Sequence, residues 1–159
     1  MPQVTIEYMI MIPIVIMQIF LFPLTTSWIM NTWVESRQNL VLRETASYLG
    51  SSIHQTYAAL SHDSVSEGVV TSKLNIPASI EGKNYMGNAT LSTISDFNSS
   101  KILEINLYII DSEIVAQSSV TLGNDFEWQN STFTSNSAYS EIYAEKLSNG
   151  IISFSFGGA

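Results

Sequence analysis

A chain of 159 residues, 45% of them apolar, holds about one ordinary domain plus an appended segment. Its net charge of −8, with only 6 Lys and Arg, leaves no basic surface for phosphates and argues against a nucleic-acid partner. With no cysteine, disulfides, thiolate metal sites and cysteine nucleophiles are excluded.

The average composition hides a split. Met9 to Val34 carries no charged side chain, whereas residues 61–159 are rich in Ser, Thr, Asn and Gly. As a helix, residues 9–34 reach about 39 Å, and a bilayer hydrocarbon core is about 30 Å thick. A cleaved secretory signal fits poorly, because its apolar region is about 7–15 residues behind a positive charge. Here the first basic residue is Arg37. A core helix of a soluble protein is the other reading, and the length of the run weighs against it. Arg37 and Arg43 both follow the span, so charge bias alone would place its C-terminal side in the cytoplasm.

Within the span, Pro13 and Pro23 each remove a backbone donor and crowd the carbonyls of Met9 and Ile19. Thr25, Thr26 and Ser27 stand close enough to Pro23 to compensate, and a kink or loosening is expected there. Gln18 is the one strongly polar residue between the prolines, and it is expected to face another helix rather than lipid. Glu7 precedes the run. A carboxylate at membrane depth costs about 2.5–3.5 kcal/mol at the centre and less near the interface. Its expected place in the first helical turn favours its charge. It either pairs with a positive group, such as the N-terminal amine of an adjacent subunit, or stands as an unpaired interfacial acid.

The order Gln3-Val4-Thr5-Ile6-Glu7-Tyr8 resembles the Q-x-S-x-E-Y signature that opens the mature chain of archaeal type IV pilins. Gln3, Glu7 and Tyr8 match, and Thr5 keeps the hydroxyl of the serine. The resemblance implies a helix first inserted in the membrane, a leader cut by a prepilin peptidase, and export by pilus assembly machinery. It also implies polymerisation with identical subunits into a cell-surface filament, and the C-terminal side of the span outside the cell. Family leaders carry basic residues and end in a small one, whereas Met1 and Pro2 stand before Gln3 here. The expectation is a chain already mature, or one processed differently.

Beyond the span, Leu42, Ala46, Leu49, Ile53, Tyr57 and Leu60 recur every three or four residues, which predicts an amphipathic helix over 35–60. Glu35, Arg37, Gln38, Arg43, Glu44, Ser47, Ser51 and Gln55 form the polar face, and Gly50 weakens the helix by about 1 kcal/mol relative to Ala. Segment 1–62 is thus a helical arm and 63–159 a separate surface domain. His54 and His62, eight apart, lack a chelating spacing and read as solvated or capping residues.

In the body the period switches to two. Leu103, Ile105, Leu107 and Ile109 alternate with polar residues in a strand over 101–110, and Asp111-Ser112 turns it into a partner over 113–122. Ile151–Phe156 alternates after the Asn149-Gly150 turn signal. Weaker strands are expected at 69–76, 78–86, 89–95 and 126–133, with 141–147 open between helix and strand. The expected fold class is α+β: a long N-terminal helix and a small antiparallel β-rich domain around its second half.

Asn88, Asn98 and Asn130 begin N-glycosylation sequons, all placed in expected turns or strand margins of the body. N-linked glycans are the only non-protein groups expected. Catalysis finds little support, since the body has no histidine and no phosphate loop or zinc motif. The leading expectation is a structural pilus subunit used for adhesion. The alternative is a minor pilin or a single-pass membrane protein with an extracellular ligand-binding β-domain.

Overall fold

A computed structural model of the chain describes residues 3–93, 100–137 and 140–157. The side chains of residues 3–8 and 93 lie outside the described part. The protein is α+β. Helix α1 (Gln3–Leu60) is followed by eight strands: β1 (Gly68–Lys73), β2 (Tyr85–Thr93), β3 (Lys101–Ile109), β4 (Val115–Leu122), β5 (Phe126–Trp128), β6 (Thr132–Thr134), β7 (Glu141–Lys146) and β8 (Ile152–Phe156). They build two four-stranded sheets, β1-β7-β8-β5 and β4-β3-β2-β6. The chain forms two compact units, Met1–Arg37 and Gln38–Ala159. The later half of α1 therefore belongs with the sheets, although the helix itself ends only at Leu60.

The predicted helical stripe is the spine of this second unit. Leu42, Ala46, Leu49 and Ile53 are fully buried, and Leu60 nearly so. They share one core with Leu103, Ile105, Leu107 and Ile109 of β3, and with Phe126, Ile142, Phe154 and Phe156 of the other sheet. Gln38, assigned to the polar face, is buried instead. It stands four residues before Leu42 and so extends the stripe by one turn. Thr45 is buried too, its hydroxyl donating to the Val41 carbonyl at 2.8 Å.

Gly50 is more than a tolerated weak point. A Cβ built there would lie 2.8 Å from Val120 Cγ2 and 3.2 Å from Ser118 Oγ, both on β4. A hydrogen is therefore what lets the helix backbone settle onto the sheet at this crossing. At the last turn, the Tyr57 hydroxyl donates to Asp125 Oδ1 at 2.5 Å and accepts from the Gly123 backbone N–H at 3.1 Å. Its ring meets Phe126 edge-on at 6.0 Å. The helix is thus fastened to the β4–β5 turn by one side chain that is apolar along its body and polar at its tip.

The β3–β4 hairpin forms as predicted, with Asp111 at φ 61° and the Ser112 N–H donating to the Ile109 carbonyl at 3.2 Å. Segment 141–147 resolves as strand β7, antiparallel to both β1 and β8. Four details differ from expectation. Residues 78–84 are not a strand: Ile80 and Lys83 bridge across Glu81-Gly82, both at positive φ, so this is a tight two-residue turn. The expected strand over 126–133 divides into β5 and β6, which join different sheets. β5 runs parallel to β8, an exception to the antiparallel rule of the body. β8 is also buried on both faces rather than one. Ser153 Oγ accepts from Gln129 Nε2 at 3.1 Å, and the Phe156 N–H donates to Ser131 Oγ at 2.8 Å, so the β5–β6 link covers the serine side.

The crossing at Gly50 gives a direct test. Gly50→Ala should lower the stability of the body by about 1–3 kcal/mol through overpacking, against the gain of about 1 kcal/mol that alanine brings to a free helix. Adding Val120→Ala should recover part of the loss in thermal unfolding. A more stable Gly50→Ala protein would show that the approach is not tight.

Candidate functional site: the exposed apolar helix

From Met9 onward the first unit presents its apolar side chains to the outside on every face. Exposure of the large ones between Met9 and Trp33 runs from 49% at Val15 to 76% at Met9. An apolar window of this helix has a mean hydropathy of 2.1 and none of it is buried, so it is long and apolar enough to cross a membrane. At the far end of the run, the Arg37 guanidinium sits 5.5 Å from the Trp33 ring centroid. An indole stacked under a cation suits the boundary between an apolar layer and water.

Helix α1 passes through both Pro13 and Pro23 without a break. The threonines after Pro23 do bond back, though not to the carbonyl that the proline frees. Thr25 Oγ1 donates to Leu21 and Phe22 at 3.0 Å each, and Thr26 Oγ1 donates to Phe22 at 2.8 Å. Thr32 makes the same kind of bond to Trp28 at 3.0 Å. Such back-bonding hides hydroxyls that would otherwise face an apolar layer.

The backbone of Gln3, Thr5, Glu7 and Tyr8 is helical, and their side chains lie outside the described residues. The helix starts at Gln3 and has no acid in its first turn. Glu7 therefore falls in the second turn rather than the expected first, and the helix dipole helps its charge correspondingly less, because that effect fades within one turn.

The sequons separate. Asn130 is exposed in the link between β5 and β6. Asn98 lies outside the described residues. Asn88 corrects the expectation of turns and strand margins: it sits within β2, paired laterally with Asn106 of β3 and Thr132 of β6. Its Oδ1 is buried, with no hydrogen-bond partner among the described residues.

The histidines do not converge. His54 is exposed on the helix, while His62 Nδ1 lies 2.9 Å from Ser64 Oγ and accepts from the Ser64 N–H at 3.3 Å, closing the turn after the helix. Among the described residues, no group of three His, Asp or Glu could hold a metal ion. The residues missed by sequence reasoning are Gly123 and Asp125, which with Tyr57 fasten the helix. A Cβ at Gly123 would run into the Tyr57 hydroxyl and Asp125. No periodic signal marks a contact 68 residues apart.

Comparison with protein-family models, with curated proteins and with solved structures finds no match. The functional reading therefore rests on the exposed helix and on the residues at its head.

The fastening also predicts a pH response. Burial, and then the hydrogen bond to Asp125 and its negative charge, push the Tyr57 hydroxyl up to about 12 from 10.0, while the Gly123 N–H pulls the other way. A raised folded value means that the folded state holds this proton more tightly. The contribution is complete below about pH 10 and is lost as pH climbs towards 12. Denaturant titrations across that window should show wild-type stability falling, with a smaller fall in Tyr57→Phe. Equal slopes in the two proteins would remove Tyr57 as the cause.

Proposed function

We propose that the chain is the structural subunit of an extracellular filament of the archaeal type IV pilus kind, stored in a membrane and assembled through its N-terminal helix. The observation that carries this reading is the run of large apolar side chains from Met9 to Trp33, exposed all round the helix. In lipid such a helix is solvated by chains as apolar as itself, so no hydrophobic force drives it onto its neighbours. In water each large apolar side chain left uncovered costs about 1.5–3 kcal/mol. Leaving the bilayer is favourable only when other helices replace lipid along the whole run. Identical helices doing this repeatedly make a filament with a helical core and the β-rich bodies outside.

The signature from Gln3 to Tyr8 supports the same reading. It brings the prepilin peptidase and the assembly machinery as partners, with adhesion as the role of the displayed body. In this reading Glu7 pairs with a positive group of the adjacent subunit and sets axial register. The exposed body carries N-linked sugar at Asn130, whereas Asn88, fixed within a paired strand with its oxygen buried, makes a poor acceptor.

Electron microscopy of filaments sheared from cells should find a core built from residues 3–34; a core made of anything else removes the proposal. Glu7→Ala should still insert in the membrane while filament yield collapses, and normal filaments from that variant would refute the pairing role. Mass spectrometry of the surface form should lose a glycan in Asn130→Gln and not in Asn88→Gln. The reverse pattern would contradict the site assignment.

A further inference from the structure

Gln18 opens onto a surface groove of about 690 Å³ whose lining includes Val15, Gln18, Ile19, Phe22, Pro23 and Thr25. Steps of three, one and three put Val15, Gln18, Ile19 and Phe22 on one helix face. Pro23 has no N–H, so the Ile19 carbonyl lacks the amide that would meet it four residues on. The nearby hydroxyls are engaged elsewhere, on Leu21 and Phe22. One groove therefore holds a side-chain amide with two N–H donors and, between Ile19 and Pro23, a carbonyl without its helical donor.

Resting on the filament reading above, we propose that Gln18 of one copy donates to the Ile19 carbonyl of a neighbouring copy, so that this groove adds, within the apolar run, a second contact that fixes axial register beside the one at Glu7. The occupant is a second copy because donor and acceptor are both supplied by the same groove. Val15, Ile19 and Phe22 flank them and are covered in the same contact. Lipid tails offer neither donor nor acceptor. Apolar packing alone lets one smooth helix slide along another, whereas a single polar pair in an apolar seam selects one register. Pro23 is then the residue that leaves the acceptor without its helical donor.

A double-mutant cycle on the full-length chain tests this. Gln18→Met keeps the volume and removes the donor. Pro23→Ala restores a backbone N–H for Ile19 and so removes the acceptor. Each change should speed subunit release from purified filaments in mild detergent by roughly three- to tenfold, the range for one interhelical hydrogen bond. The double variant should release no faster than the quicker single one. Wild-type release from Gln18→Met filaments, or a double variant whose effect is the product of the singles, would overturn the proposal while leaving the filament reading intact. If Pro23→Ala does not assemble, sedimentation equilibrium of the four chains in micelles runs the same cycle, with the same two outcomes deciding it. A wild-type chain that stays monomeric in micelles and on cells removes the filament reading and this proposal together.

Discussion

Water will not tolerate the stretch from Met9 to Trp33 uncovered, and no described part of its own chain covers it. That constraint orders everything else. A soluble domain hides its apolar face against its own body, as the later half of α1 does with Leu42, Leu49 and Ile53. The earlier half has apolar side chains on all sides, so a single partner surface could not cover it. An environment that surrounds the helix covers it: lipid is one, since the run is long and apolar enough to cross a membrane, and the proposed bundle of like helices is another.

The body makes sense as the counterpart of this constraint. Its helix is held by close backbone approach at Gly50 and by the Tyr57 hydroxyl at Gly123 and Asp125. Its two sheets close one core together with that helix. Phe126 with Phe154, and Phe133 with Phe156, add ring contacts between strands that are far apart in sequence. Residues from Gln38 onward form a compact unit distinct from the apolar run. That separation is what a subunit moving between lipid and a bundle of like helices requires.

Much of this was legible in local pattern. An uninterrupted apolar run and a three-four stripe need only neighbours in sequence, and both are where the sequence put them. The same holds for the β3–β4 hairpin, where period-two alternation and the Asp111-Ser112 turn agree. What could not be read was pairing between distant strands. Nothing in Phe126–Trp128 announces a parallel partner in Ile152–Phe156, and nothing in Thr132–Thr134 sends it to the other sheet. Ser153 and Ser155 alternate with apolar residues, and alternation cannot foresee that residues 129–131 lie over them. At Gly50 the helix propensity scale gave the wrong emphasis, since it measures a free helix and this one is pressed against Val120. The position of Glu7 relative to the first turn was not legible either.

The filament reading turns on whether lipid-free material carries the span covered by protein. Because the chain has no cysteine, single thiols report this cleanly. Phe20→Cys places one in the apolar run and Ser148→Cys places one at an exposed position of the body. In material sheared from the cell surface and freed of lipid, a water-soluble maleimide should label the Ser148→Cys chain and leave the Phe20→Cys chain unlabelled until the assembly is dissolved. Equal labelling of both chains, or a protein that leaves the cell only together with lipid, would contradict it.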